Sequence, residues 1–559
     1  MTDTISGAQY IAATLKGYGT THVFFVDAIL RRTLIELEAV GITRVMAHSE
    51  KAAAYMADGY ARVSGRPGVC MAQSVGAANL GAGLQDPFLA RSPVIAMTGR
   101  KLPVFQHRNA YQELDHRPLF AATTKFSANV DAIDQLPTLL PQAFREATTG
   151  SPRPVHLDLA GLQAEAIESA TIARDAVVQV QFARAPAFRP AADAAALAAA
   201  VRAIDAAQRP LIVCGSGAVQ AGAHNAVLAL AEALDAPVAT SLGGRGIVPT
   251  THRLSLGVIG TYSAPPANRI AHAADLVVYV GCSVGDQVTH NWTIPAAGTP
   301  IVQIDIDPTE LGRNYAATIA ILADPGLAAA ALAAAARRRD AGTWSRRAQE
   351  ALAAWRASIA AMLAASDTPI RPDRLCAELS RALPETAILV SDTGYSAVWS
   401  GTLIDLPSPR QTYLRAAGSL GWAFPASLGV KCAAPDRPVV CFCGDGAFHY
   451  HLPELETAVR KGIAVTVVVN NNSAFAQGRA TIRRLYGNRP GDPDDINAFR
   501  KVDFAAIARG FGAEGIRVES PDAIAAALQS AFASPRVTVV DVVTDPAPRA
   551  PEAWIPAAP

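Results

Sequence analysis

Short runs of β-branched and aliphatic residues alternate with Ala- and Leu-rich stretches of helical spacing along almost the whole chain. That alternation predicts an α/β fold. Runs at His22–Val26, Val69–Ala72, Val94–Thr98 and Pro154–Leu159 predict a first set of strands, and runs that begin at Pro210, Leu276 and Ile301 a second. Ala387–Val390, Val439–Cys443 and Ile463–Val469 predict a third. The runs are apolar throughout rather than every other residue, which suits parallel strands covered by helices on both faces. Three doubly wound domains with mainly parallel sheets are therefore expected, over 1–180, 190–340 and 368–545. Between them, Phe182–Pro190 with its two prolines and the stretch Asp367-Thr-Pro-Ile-Arg-Pro read as linkers. The tail from Asp545 carries five prolines and no periodicity, and is expected to be a surface strap or a disordered end.

At 559 residues the chain exceeds what one core can hold. A formal net charge of +1 and 17% charged residues speak against nucleic acid or a membrane surface as a partner, and point to a small-molecule substrate. Seven scattered cysteines in apolar contexts form no metal-ligand spacing and read as reduced, buried thiols. The first residues lack the basic start and apolar stretch of a signal peptide, and no uninterrupted apolar run approaches a membrane span. A cytoplasmic enzyme is the expected class.

The chemistry concentrates between residues 440 and 472. One apolar run stops at Gly444-Asp445-Gly446 and the next at Asn470-Asn471-Asn472. In a parallel sheet, ligands collect at the carboxyl ends of strands, which is where these residues fall. Glycines let a backbone approach a diphosphate, and one carboxylate with one amide oxygen suits a hard divalent cation that keeps phosphate and water ligands. Gly-Asp-Gly alone also serves any tight turn after a strand.

The whole pattern resembles the signature of thiamine diphosphate-dependent enzymes, with 27 residues from Asp445 to Asn472. The resemblance implies thiamine diphosphate and Mg2+ as cofactors. It implies Asp445, Asn472 and the backbone carbonyl of Ala474 as metal ligands, with Gly444, Gly446, Ala447, Phe448 and Phe475 around the cofactor. His48-Ser-Glu-Lys-Ala-Ala-Ala-Tyr-Met-Ala-Asp-Gly-Tyr-Ala-Arg resembles the family's glutamate-bearing helix, which makes Glu50 the carboxyl group expected at the pyrimidine ring. Such a group promotes the imino tautomer of the exocyclic amine, which removes the thiazolium C2 proton. Gly418-Ser-Leu-Gly-Trp-Ala-Phe-Pro resembles the segment whose bulky residue, here Leu420, bends the cofactor. Asp392-Thr-Gly-Tyr-Ser, with Gly394, Tyr395 and Ser396, resembles a diphosphate-contacting loop, and Ala110-Tyr-Gln-Glu resembles the loop of acetolactate synthases that carries an active-site glutamine, here Gln112.

The matches run from about residue 8 to residue 545 in the order of the acetolactate synthase-like group. They imply a 2-oxo acid or related carbonyl as substrate and a lyase or carboligase activity. They also imply a homodimer or homotetramer in which Glu50 of one subunit meets Asp445 and Asn472 of another. Acyl-CoA or 2-hydroxy ketone lyases and acyltransferases stay open as alternatives, as does a nonenzymatic regulatory paralogue. Arg108, Arg117 and Arg479 are scattered, so no basic cluster for a CoA is evident. Two departures bear on specificity. Asp27 and Ala28 stand where relatives carry a Gly-Val-Pro-Gly-like turn, so Asp27 is either a proton-handling group or a helix N-cap. Ser473 to Arg479 lacks the Arg-Gln-Trp pattern of acetolactate synthases. FAD or ADP in the central domain stays open: Leu256 to Tyr262 and Gly281 to Gln287 resemble a flavin region, but Ser283 and Val284 replace its arginine. His449 and His107 lead the histidine candidates for proton transfer, ahead of His116 and His451.

Overall fold

The computed structural model describes residues 4–175, 178–316 and 318–557. Three six-stranded sheets carry the fold, and every strand pair within them is parallel. The first runs across the sheet as Thr43–Met46, His22–Phe25, Gly68–Ala72, Val94–Arg100, Val155–Ala160 and Phe126–Val130. The third runs as Thr412–Arg415, Ile388–Ser391, Val439–Gly444, Thr466–Asn471, Thr538–Val543 and Glu514–Val518. Counted within each sheet, both have the strand order 2-1-3-4-6-5. The central sheet, Ser255–Val258, Val238–Thr240, Pro210–Cys214, Leu276–Val280, Ile301–Asp305 and Thr318–Leu322, follows 3-2-1-4-5-6, the dinucleotide-binding order. A small antiparallel pair, Thr4–Ser6 with Thr171–Ala173, closes the first unit.

Reversal of strand order opens a crevice at the carboxyl ends of the two strands flanking it. In the third sheet these are Ile388–Ser391 and Val439–Gly444, and in the first His22–Phe25 and Gly68–Ala72. The motif residues gather at both crevices.

One expected boundary shifts. The run Ile463–Val469 enters the sheet only at Thr466 but continues through Asn471, because the buried asparagines find partners inside it. Asn470 Oδ1 accepts from Thr544 Oγ1 at 2.5 Å, and Asn471 Nδ2 donates to Asp541 at 2.8 Å. Asn472 is thus the first residue beyond the strand.

The first and third units share a core through two helices, Glu50–Ser64 and Ala423–Ala433. Ala52 to Ala61 are all buried. The helix backbones approach so closely that a Cβ on Gly59 would stand 2.1 Å from Ala426 O, and one on Gly429 1.8 Å from Met56 O. Only glycine permits that contact. The proline-rich tail is a strap: the carbonyl of Trp554 accepts from Asn268 Nδ2 at 3.0 Å, and its ring lies against His272 on the central helix Pro265–Ala273.

Candidate active site

A cleft of about 590 Å³ opens at the strand-order reversal of the third sheet. It brings together Gly394, Tyr395, Ser396, Leu420, Gly444, Asp445, Gly446, Ala447, Asn472, Ala474 and Phe475. The helix Tyr395–Leu403 starts at its edge with no side chain capping its first turn, so its free N–H groups and dipole favour an anion there. Gly394, at φ +67°, makes the turn into that helix. A Cβ on Gly446 would lie 2.4 Å from the Phe475 ring, so any larger residue at the turn after Val439–Gly444 would have to displace that ring from the cleft wall.

Asp445 is buried in this cleft, and burial pushes its carboxyl up to about 7 even though it accepts backbone hydrogen bonds from Gly446, Ser473 and Ala474. Asn472 Oδ1 accepts from Ala474 N at 3.2 Å, which folds the loop back on itself. A carboxylate destabilised by burial, an amide oxygen and a backbone carbonyl fit a small hard cation that retains phosphate and water ligands. Ile482, Ile496 and Asn497 also line the cleft and were not singled out in the sequence, while Thr393, Asn470, Gln477 and Tyr262 line it from stretches read there without a role of their own. Gln477 stands inside the stretch read there only as a departure. Tyr262 comes from the central unit, where its hydroxyl accepts from Gln477 Nε2 at 3.5 Å, a contact with no local sequence signal.

Other expected cofactor residues stand behind the wall. Asp392 is fully buried and accepts from Thr393 N at 2.9 Å, Gly421 N at 3.0 Å and Ala423 N at 2.8 Å, fixing the turn that presents Leu420. Burial raises its carboxyl to about 6. Gly418 faces the first unit, and Phe448 is a core residue edge-on to Phe424 and Phe504. His449 lies at the surface with its ring against Phe504 and Phe499, outside the cleft.

Glu50, Gln112 and Asp27 do not line this cleft; they belong to the carboxyl edge of the first sheet. Glu50 opens its helix, four residues after the strand Thr43–Met46. Its carboxylate accepts from Asn79 Nδ2 at 3.2 Å and occupies the space a Cβ on Gly76 would fill, 2.5 Å from Oε1. Gln112 has φ +57°, and its carbonyl accepts from Ser74 Oγ at 2.6 Å, tying its loop to the same edge. Asp27 is not an N-cap: the helix Arg31–Ala39 begins beyond it, with Leu30 at the cap position. Asp27 instead pairs with Arg31 at 3.0 Å on the surface, a hydrogen bond that holds its carboxyl below the ordinary range. His107 is exposed and donates its N–H to Glu113. His116 is buried against Asp158 at 3.1 Å, and His451 is buried edge-on to Tyr55.

A buried ion cluster joins the two halves. Arg62 Nη2 lies 2.5 Å from Asp58 and 2.8 Å from Asp86, its guanidinium stacks 4.4 Å from the Trp422 ring, and Trp422 Nε1 donates to Asp58 at 2.9 Å. Burial opposes the Arg62 charge, yet the two carboxylates, Asp58 first, hold its pKa up. Asp86 also accepts from Ala417 N, Gly418 N and Ser419 N at 3.0–3.3 Å. The loop leading to Leu420 thus hangs from the first unit. A second cavity, of about 500 Å³, opens at the strand-order reversal of the central sheet, lined by Gly215, Ser216, Gly281, Cys282, Ser283 and Tyr262 among others.

Comparison with known proteins adds three family models. Residues 5–119 match the N-terminal TPP binding domain of thiamine pyrophosphate enzymes, 197–332 their central domain, and 392–542 their C-terminal TPP binding domain. A protein of Methanocaldococcus jannaschii named "Probable acetolactate synthase large subunit" is 31% identical over 97% of this chain and 92% of its own length. The acetolactate synthase large subunit of Parasynechococcus marenigrum is 30% identical, over 96% and 87%. The acetolactate synthase isozyme 3 large subunit of Escherichia coli is 28% identical, over 97% and 95%.

Proposed function

The chain belongs to the thiamine pyrophosphate enzyme family, in its acetolactate synthase-like group, and from that premise we propose that it is a carboligase that decarboxylates a 2-oxo acid and joins the remaining fragment to a second carbonyl compound. The observation that carries the reading is the cleft in which Asp445, Asn472 and Ala474 face Leu420 and the open end of the Tyr395–Leu403 helix.

Asp445, Asn472 and the Ala474 carbonyl would hold Mg2+, and the first turn of that helix the diphosphate. Leu420, supported by Asp392 through the Gly421 turn, would set the bend of the cofactor. When bound, thiamine diphosphate supplies the electron sink for cleavage beside a carbonyl. Glu50, oriented by Asn79, would hold a proton at the pyrimidine nitrogen. Because Glu50 does not line the cleft of its own protomer, the complete site would form between subunits of a homodimer or homotetramer. Exposed Val75, Val104, Phe105 and Tyr111, 43–75% accessible around the Glu50 edge, supply apolar surface for such a contact. The second cavity would take FAD or another nucleotide at its paired glycines. All seven cysteines are free thiols, in keeping with a cytoplasmic protein, and among the described residues no helix is long and apolar enough to cross a membrane.

A panel of 2-oxo acids paired with 2-oxo acids and aldehydes, scored for carbon dioxide and ketol products, tests the reading. Carbon dioxide release with a ketol product is expected. A protein that binds thiamine diphosphate and Mg2+ yet yields neither from any pair would refute it.

A further inference from the structure

Asn497 is 4% exposed, lines the cleft, and has no hydrogen-bond partner for either Oδ1 or Nδ2 among the described residues. The three asparagines nearby differ: Asn470, Asn471 and Asn472 each make a side-chain hydrogen bond. Looseness of the segment does not explain the difference. The Asn497 carbonyl accepts from Phe475 N at 2.8 Å, and Phe499 N donates to Ser473 O at 2.7 Å. Ala498 bridges Ala474, so the residue is strapped to the loop that carries the proposed metal ligands. The preceding turn is held by Asp494, paired with Arg479 at 2.9 Å and Arg483 at 2.7 Å.

An unpaired buried amide is costly, and leucine would fill the same space without the penalty. A fixed backbone that carries such an amide at the wall of a ligand cleft points to a partner that arrives with the ligand. We propose that Asn497 is a cofactor-contacting residue: its amide turns about its own side-chain torsions into the cleft, Nδ2 donates to a phosphate oxygen, and Oδ1 accepts from a water on the metal. This rests on the cleft being the diphosphate and metal site.

The test is calorimetric titration of the full-length protein with thiamine diphosphate and with unphosphorylated thiamine, both with Mg2+, in wild type, Asn497→Leu and Asp445→Ala, alongside thermal midpoints without ligand. Asn497→Leu is expected to leave the ligand-free midpoint unchanged or higher. It should weaken thiamine diphosphate about tenfold to hundredfold, as loss of a charge-assisted hydrogen bond does, while thiamine is unaffected. Asp445→Ala should lose thiamine diphosphate binding. Where the leucine variant is less stable than wild type, the contrast between the two ligands still decides. A loss equal for both ligands, or no loss in a background where Asp445→Ala abolishes binding, overturns the role of Asn497 and leaves the cleft assignment standing. Wild-type affinity in Asp445→Ala overturns the cleft assignment itself.

Discussion

Removal of Asp86 links stability to catalysis through one buried carboxylate. Asp86→Ala strands the N–H groups of Ala417, Gly418 and Ser419 and leaves Arg62 with Asp58 alone. Breaking a buried charge pair from one side costs about 3–5 kcal/mol, because the partner keeps its desolvation penalty. Across the first and third units, roughly 360 residues that share this core, that corresponds to a midpoint about 4–7 °C lower. The freed loop leads directly to Leu420 at the cleft wall, where a displacement of about 1 Å costs on the order of a hundredfold in turnover. Differential scanning calorimetry measures the first effect and steady-state ketol formation the second. Arg62→Met supplies the control: it should cost less in the Asp86→Ala background than in wild type, since part of its partnership is already gone. A midpoint within 1 °C of wild type, with unchanged turnover, would refute this account of the cluster.

In the folded protein Asp445 titrates at about 7 and Asp392 at about 6, both raised by burial, so the folded state holds protons that the unfolded chain has released. Their contribution to the stability of the metal-free protein is therefore fully present below about pH 4 and is lost as pH rises through about 6 to 7. Mg2+ competes with the proton on Asp445, so its affinity should climb about tenfold per unit up to about pH 7 and then level. Thermal midpoints between pH 4 and 8, with and without Mg2+, check both, and a pH profile identical in wild type and Asp445→Asn would contradict the assignment. Gly76→Ala puts a methyl group 2.5 Å from Glu50 Oε1 and should lower turnover about tenfold to hundredfold while thiamine diphosphate affinity holds. Equal turnover in Gly76→Ala and wild type would show that the Glu50 carboxylate needs no such placement.

How much the chain reveals depends on whether a feature is local. The strand ends with Gly444-Asp445-Gly446 and Asn472 are local, since an apolar run that stops at turn residues announces both the strand and its functional edge. The three sheets follow from the same periodicity. The extension of Thr466–Asn471 through two asparagines was hidden because their partners, Asp541 in the strand Thr538–Val543 and Thr544 just beyond it, lie some 70 residues away. The Arg62 cluster was hidden for the same reason: nothing local marks Asp58 or Asp86 until Trp422 and the Ala417–Ser419 backbone are laid over them. Asp27 read equally well as a cap, and only the start of the following helix at Arg31 removes that option. Asn497 had no signal, because an asparagine in a Pro- and Asp-rich stretch predicts a turn, whereas its burial comes from its carbonyl accepting from Phe475 N and from the bridge its neighbour Ala498 makes to Ala474.

The central claim is that Glu50 of one subunit and Asp445 with Asn472 of another act on one cofactor, and hybrid complementation tests it most directly. Glu50→Gln and Asp445→Ala chains, each inactive alone and carrying different tags, are co-expressed and the doubly tagged species purified. In a hybrid dimer, sites shared between subunits leave one site with both wild-type residues and one with neither, so activity should return to about half that of the wild-type dimer per dimer, by the independent-site reasoning of additivity. Doubly tagged protein that is folded and binds thiamine diphosphate, yet turns over no faster than the two parent variants, would contradict a site built across the subunit boundary.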